Sequence, residues 1–272
     1  MEKKTKKSDK NNERKNRPIG FMDSGVGGLS VLKEAIRILP NEDFIYYGDS
    51  KNAPYGNKTK EDIKMLTFAA VEHLMEKDIK ALVVACNTAT SAAIRALRLK
   101  YSDIPIIGIE PAVKPAVVCN QGGRIIVMAT STTIKQPKFK KLIDTYKDEA
   151  EIVPLACEGL MEFVEYGNFD SNILNGYLQK NLWPLVKENT DSIVLGCTHY
   201  PFLIPQIKEF LGNRNIMLID GSKGTSSQLK RKLKEEGLLR AKGHVGEVII
   251  ENSSDDPFML ELSERLLKME LD

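Results

Sequence analysis

Two short apolar runs in this chain stop at a cysteine and turn polar at once. One is Leu82-Val83-Val84-Ala85-Cys86-Asn87-Thr88, and the other is Ile193-Val194-Leu195-Gly196-Cys197-Thr198-His199-Tyr200-Pro201. Each reads as a buried strand of a parallel sheet that delivers a thiol to the sheet edge where open α/β folds bind their ligands. Other strand ends pair up in the same way. Asp23 ends the run Ile19 to Met22 as Thr130 ends Ile125 to Ala129, and Ser24 and Ser131 follow them. Asp49 closes Phe44 to Gly48 as Glu158 closes Ile152 to Cys157. The three pairs lie 107, 109 and 111 positions apart. Three strand ends in one order at a nearly constant offset predict an α/β fold of two similar domains. Each has a mainly parallel sheet, the two are related by a pseudo-twofold, and the active site lies in the cleft between them.

The remaining pattern fills in this plan. Asp23-Ser24-Gly25-Val26-Gly27-Gly28 leads to a helix with Leu29, Leu32, Ala35, Ile36 and Leu39 on one face. Its glycine spacing does not fit the dinucleotide fingerprint, it has no P-loop lysine, and the acid that opens it suits an ammonium group better than a phosphate. Thr59 to Asp62 forms a capping box before a helix that carries Ile63, Leu66, Ala70 and Leu74. His73 is expected at the boundary of that helix, Trp183 in the core and His244 in a solvated turn. After Cys197 come a strand at 216–219, a helix at 228–238, a strand at 245–251 and a helix at 257–269. The last elements have no counterpart before residue 112, so the chain is expected to return and complete the first domain. The expected division is 17–111 with 222–272 as one domain and 112–221 as the other.

The net charge of +2 conceals an uneven distribution. Residues 1–16 hold seven Lys or Arg against three acids and have no apolar segment, so they read as a disordered basic tail and not as a secretory signal. The rest is close to neutral and carries no nucleic-acid footprint. No apolar run approaches the roughly 20 residues that span a bilayer. Four cysteines without CxxC spacing point to a reducing cytoplasm, with neither a disulfide framework nor a structural zinc site.

A thiol between a strand and a helix N-terminus is expected to have its pKa lowered from about 8.5. If the two halves face each other, the thiols of Cys86 and Cys197 approach one ligand from opposite sides. That geometry suits removing a proton from one face of a carbon and returning one to the other, which inverts a stereocentre. A strand-end cysteine alone is commonly just a small buried hydrophobe, and Cys119 and Cys157 are assigned to such packing. The matched pair, with Asp23, Asn87, Thr88, Thr198 and His199 beside it, favours catalysis. A Cys-His hydrolase built on Cys197 and His199 is the alternative, but it leaves Cys86 without a role.

Four segments together resemble the glutamate racemases of the aspartate/glutamate racemase superfamily. They are Asp23-Ser24-Gly25-Val26-Gly27-Gly28-Leu29-Ser30, Asp49-Ser50 with Pro54-Tyr55-Gly56, Cys86-Asn87-Thr88, and Gly196-Cys197-Thr198-His199-Tyr200-Pro201. The resemblance runs from Arg17 to about Ser254. It implies reversible, cofactor-independent conversion of L- to D-glutamate for peptidoglycan, in the cytoplasm, by a homodimer that engages neither nucleic acid nor membrane. Cys86 and Cys197 match the two catalytic bases, the first acting on the D isomer and the second on the L isomer. Asp23, Glu158 and His199 match assisting residues. Asp23, Ser24, Tyr55, Gly56, Asn87, Thr88, Thr198 and His199 match substrate contacts, and Thr130 and Thr133 match a threonine-bearing loop that can meet a carboxylate. No metal is implied. An aspartate racemase is the near rival, because one methylene is worth only about 1–3 kcal/mol of discrimination. A non-catalytic amino-acid binder is the rival of another class.

Overall fold

The computed structural model describes residues 13–119 and 122–271. The first unit runs β1 (Ile19–Asp23), α1 (Leu29–Ile38), β2 (Phe44–Gly48), α2 (Lys60–Met75), β3 (Ala81–Val84), α3 (Asn87–Lys100) and β4 (Ile106–Gly108). Helix α4 (Val113–Cys119) crosses to β5 (Arg124–Ala129), α5 (Ser131–Lys135), α6 (Pro137–Tyr146), β6 (Glu151–Ala156), α7 (Leu160–Glu165) and α8 (Ser171–Asn181). Then come β7 (Thr190–Leu195), α9 (Ile204–Leu211), β8 (Met217–Asp220), α10 (Ser222–Glu235), β9 (Val248–Asn252) and α11 (Pro257–Lys268).

The strands form two sheets, ordered β4-β3-β1-β2-β9 and β6-β5-β7-β8, and every strand pairing within them is parallel. β1 lies between β2 and β3 as β5 lies between β6 and β7, and β4 and β8 then follow on the same side. The two units thus repeat one topology, and the matched strand ends of the sequence occupy matched places in it. β9 is the addition. Val248 to Asn252 pairs with Phe44 to Gly48, so the chain returns to the first sheet after the second is complete.

The central strands explain their own composition. β1 and β3 are buried along their whole length, because helices cover both faces of a parallel sheet. β6, at an edge, is largely exposed, and its Pro154 sits where an edge strand tolerates a missing donor. One apolar cluster runs through both units, from Phe21 and Leu32 to Ile126, Leu195 and Leu266. Each fully buried side chain of this size contributes about 1.5–3 kcal/mol. The Thr59 cap forms as its motif predicts, with Thr59 Oγ1 accepting from the Asp62 N–H at 3.2 Å.

Several expectations change. α10 begins at Ser222, six residues before the predicted start, because Ser222, Thr225 and Ser226 pack inward and Ser226 Oγ donates to the Val31 carbonyl of α1 at 3.3 Å. A Ser/Thr-rich turn reads as loop until its hydroxyls find partners. Trp183 is half-exposed, edge-on to Phe210 and under the Arg214 guanidinium. Cys119 is exposed at the end of α4, whereas Cys157 is buried as expected. His244 pairs with Asp43 and is not merely solvated, while His73 is half-buried at the helix boundary as expected and pairs with Glu251.

The tail expectation for residues 1–12 lies outside the described residues. Residues 14–17 make contacts with the body: Arg17 pairs with Asp78 at 2.8 Å, and Arg14 donates to the Asp103 carbonyl. Lys80, fully buried, donates to the Lys15 carbonyl and pairs with Glu42, whose other oxygen accepts from the Arg240 N–H at 2.9 Å. This buried pair joins the N-terminal segment, the β2 entry and the chain after α10 at the foot of the first sheet. Removing one partner of such a pair leaves an uncompensated charge. Glu42→Ala should therefore lower unfolding free energy by about 3–5 kcal/mol in a denaturant titration. A loss under about 1 kcal/mol would show that the junction carries little of the fold's stability.

Candidate active site

β1 ends at Asp23, which is fully buried. Its Oδ1 accepts from the Gly25 N–H at 2.8 Å, and its Oδ2 accepts from Thr198 Oγ1 of the second unit at 3.0 Å. Burial raises the Asp23 pKa, while the His199 charge and these two bonds act against that rise. Ser24 Oγ lies 3.4 Å from Cys86 Sγ. Tyr46, also fully buried, donates from its hydroxyl to the Gly25 carbonyl at 2.7 Å and holds the loop in place.

Cys86 ends the strand run and caps α3, with Sγ accepting from the Ala89 N–H at 3.4 Å. The helix N-terminus is where the sequence put it, but the expected lowering of the thiol pKa does not follow. Burial and the nearby Asp23 push Cys86 up to about 12, and the bonds from Ser24 and Ala89 do not offset them. Cys86 is therefore a thiol at neutral pH.

Cys197 has different neighbours. Its Sγ lies 3.5 Å from His199 Nδ1, and His199 Nε2 lies 2.6 Å from Glu165 Oε1 at the end of α7. Burial acts to lower the imidazole pKa, but the bonds to Cys197 and Glu165 outweigh it and hold His199 well above its ordinary value. A protonated imidazole there stabilises negative charge on the Cys197 sulfur. Glu165 Oε1 also accepts from the Val26 N–H at 2.8 Å, so one carboxylate ties the second unit to the glycine loop of the first.

That contact explains the glycines. A Cβ on Gly27 would stand 2.3 Å from His199 Nδ1, and one on Gly25 would stand 1.9 Å from Glu165 Oε1. The loop is glycine-rich because two side chains of the other unit press directly on its backbone.

A narrow cavity lies between the units. Ser24, Tyr55, Gly56, Cys86, Asn87 and Thr88 line it from the first unit. Thr130, Thr133, Cys197, Thr198 and His199 line it from the second. Three hydroxyls meet on one wall: Thr130 Oγ1 donates to Thr133 Oγ1 at 2.9 Å, and Thr88 Oγ1 lies 3.2 and 3.3 Å from them. Tyr55 is held by donating to Asp49 Oδ2 at 2.6 Å, and Thr132 donates to the Gly56 carbonyl across the units. Asn87 Oδ1 is buried without a hydrogen-bond partner, an acceptor left open in the wall.

Two of the expected residues do not line the cavity: Asp23, which is fully buried behind it, and Glu158. Glu158 is exposed and accepts from Ser131 Oγ at 2.7 Å. The carboxylate beside His199 is Glu165. The resemblance matched the first acid after β6, whereas the chain continues through Gly159, in a left-handed conformation, and one turn of α7 before it reaches the acid beside His199. A signal was present. Glu165 falls on the buried face of α7 with Leu160, Met161 and Val164, and an acid in an apolar helix stripe asks for a partner.

The model of the Asp/Glu/Hydantoin racemase family matches residues 19–225. The chain belongs to this family. Within it, a glutamate racemase from Clostridium botulinum (strain Langeland / NCTC 10281 / Type F) is 55% identical over 253 residues, which cover 93% of this chain and 98% of that protein. The structure of glutamate racemase isoform RacE1 from Bacillus anthracis is similar at a TM-score of 0.84 and 35% identity, covering 94% of this chain and 96% of that one. The glutamate racemase of Francisella tularensis subsp. tularensis SCHU S4, solved in complex with D-glutamate, gives a TM-score of 0.81 at 29% identity over 95% of this chain and 96% of that one.

Two outcomes check the site's internal logic. Glu165→Ala removes a bond that raises the His199 pKa and leaves burial in place, so an NMR titration should find the imidazole pKa below its wild-type value. An unchanged value would mean that Cys197 alone sets it. Gly27→Ala forces His199 to move, and such overpacking costs about 1–3 kcal/mol of stability. Turnover should fall by at least about 100-fold, the scale of one misplaced catalytic group, in a rate assay on the folded variant.

Proposed function

We propose that this protein is a cofactor-independent glutamate racemase in which Cys86 and Cys197 serve opposite faces of the substrate Cα. The observation that carries the reading is the pair of thiols, delivered by β3 and β7 at corresponding places in two repeated sheets and lining one cavity. The 55% identity to a glutamate racemase over nearly the whole chain supports glutamate as substrate.

Asp23 and the Asn87 Oδ1 acceptor suit the substrate ammonium, and the Thr88, Thr130 and Thr133 hydroxyls suit a carboxylate. With L-glutamate bound, Cys197 takes the α-proton while His199 stabilises its thiolate. The carbanion is then protonated on the other face by the Cys86 thiol. In the D to L direction the roles reverse, and Cys86 must act as base. A substrate ammonium beside Asp23 offsets the negative charge that helps to raise the Cys86 pKa, so binding itself favours that thiolate. His199 and Glu165 assist Cys197, while Ser24 and Asp23 assist Cys86.

We take residues 17–111 with 222–272 as one domain and 112–221 as the other, with the cavity between them. D-glutamate for peptidoglycan is the product's use in this reading, the cytoplasm its location and a homodimer its assembly. No helix among the described residues is long and apolar enough to cross a membrane.

Each turnover needs both thiols, and an acid/base group typically contributes about 10²–10⁴ in rate. Cys86→Ala and Cys197→Ala should each lose racemisation in both directions, followed by circular dichroism of L- and D-glutamate, while Cys157→Ala keeps most of it. With a glutamate analogue that expels a leaving group after deprotonation, Cys86→Ser should eliminate mainly from the L form and Cys197→Ser mainly from the D form. Equal elimination from both enantiomers by either variant would refute the division of labour. Glu158→Gln should leave turnover nearly unchanged, and Glu165→Gln should lower it by at least about tenfold.

A further inference from the structure

Strand β9 lies beyond residue 225, where the match to the family model ends, yet its last residues grip the loop behind the catalytic cavity. Asn252 stands opposite Gly48 in the parallel pairing of β9 with β2. Its Nδ2 donates to Ser50 Oγ at 2.9 Å, and its Oδ1 accepts from the Ser254 N–H at 2.8 Å, so both ends of the amide are fixed. Gly48 leaves room for this contact, since a Cβ there would stand 3.1 Å from Asn252 Nδ2. Ser253 adds two bonds. Its N–H donates to the Gly48 carbonyl at 2.9 Å, and its Oγ accepts from the Lys51 N–H at 3.0 Å. That N–H lies in a helical turn over Ser50–Asn52, at the end where amides have no partner within the turn.

The turn so gripped carries one wall of the cavity. Asp49, just before it, is buried, and its carboxylate accepts from Asn52 Nδ2 at 3.0 and 3.2 Å and from the Tyr55 hydroxyl at 2.6 Å. Burial and the bond to Asp49 raise the Tyr55 pKa, so this hydroxyl stays a donor. Tyr55 and Gly56 line the cavity, and the Gly56 carbonyl accepts from Thr132 of the second unit. Hydrogen bonds and one peptide link thus run from β9 through Ser50 and Asp49 to Tyr55. Asn252 and Ser253 themselves stay outside the cavity. Glu251, one residue earlier, serves the other face of the strand, where it pairs with His73 at 2.6 Å and Lys77 at 2.8 Å.

We propose that Asn252, aided by Ser253, is a positioning residue for the substrate: the end of β9 holds the Ser50–Asn52 turn, and through it the Tyr55–Gly56 wall of the cavity. This deepens the racemase reading and rests on it. Neither residue touches the reacting atoms, so their work is binding and not proton transfer. A wall held in one place binds substrate and transition state alike, and loosening it raises KM while kcat stays. Groups that only support a contacting residue act in this way, by limiting where that residue can sit.

The test separates positioning from plain stability. Asn252→Ala should raise KM for glutamate by about 3–10-fold, the scale of one net hydrogen bond, with kcat within about twofold, in a circular-dichroism assay of racemisation. Amide hydrogen exchange over residues 49–57 should quicken in the same variant. Ser50→Ala removes the same bond from its other side, so adding it to Asn252→Ala should raise KM little further. Ser253→Ala should raise KM by a smaller factor, and Ser253→Thr, which keeps the hydroxyl, should not raise it. Glu251→Gln loosens β9 on its other face and should lower the melting temperature with KM within about twofold. An unchanged KM in Asn252→Ala, a fall in kcat alone, or an equal rise in KM in Glu251→Gln would overturn the proposal. A wild-type protein that fails to racemise glutamate would instead overturn the reading beneath it. In that case unchanged exchange over 49–57 in Asn252→Ala would still overturn the hold of β9 on the wall, and faster exchange would uphold it.

Discussion

The structure depends on a seam of hydrogen bonds between the Asp23 loop and the strand end that bears Cys197. Thr198 donates to Asp23, Ser30 Oγ donates to the Thr198 carbonyl at 2.9 Å, and Glu165 accepts from Val26 and pairs with His199. Every group in this seam is buried, so each lost partner leaves an unsatisfied atom that costs about 1–3 kcal/mol. The seam therefore fixes the separation of the two sheet edges, and with it the gap in which two thiols can reach one carbon. It also accounts for what lies further out. Tyr46 is buried to brace Gly25, and the glycines are there to admit His199 and Glu165.

The two thiols occupy equivalent positions, yet their surroundings are unlike. Cys86 sits with a carboxylate and is held as a thiol, whereas Cys197 sits beside the His199 imidazole, whose own pKa is held well above its ordinary value. Enantiomers have equal free energy, so this asymmetry cannot favour one product at equilibrium. What it sets is the form in which the empty enzyme waits. In the reading proposed above, the resting pair, with Cys86 protonated and Cys197 beside a cation, is the form that takes L-glutamate.

Much of this was legible in the sequence, because parallel strands buried on both faces must be apolar runs with abrupt polar ends. Strand ends at Asp23, Cys86, Thr130 and Cys197 were readable from that rule, and the return of the chain to the first sheet was readable because its closing elements have no counterpart before residue 112. Glu165 was not, since a helix places its functional group by a period of 3.6 and a rule about strand ends is blind to it. The rule placed Glu158 at a strand end, and the resemblance matched it to an assisting role, whereas the acid beside His199 is Glu165. The Cys86 pKa was missed for another reason. A helix N-terminus is visible in sequence, but complete burial beside a carboxylate from another strand is a tertiary fact, and it exceeds the helix contribution.

The duplication also bears on how the substrate is oriented. Asp23 and Thr130 hold corresponding places, at the ends of β1 and β5, so the fold offers an acid on one side and a hydroxyl on the other. Thr130 joins Thr88 and Thr133 in a triangle without formal charge, which can donate to an anion. Asp23 cannot accept an anion without repulsion. In the reading proposed above, an amino acid entering between the units is turned with its ammonium toward β1 and a carboxylate toward the threonines, whichever enantiomer it is. With both ends so held, its Cα hydrogen would point to Cys197 in one enantiomer and to Cys86 in the other. A nearly symmetric scaffold can invert a stereocentre only because the groups at its corresponding strand ends differ in charge.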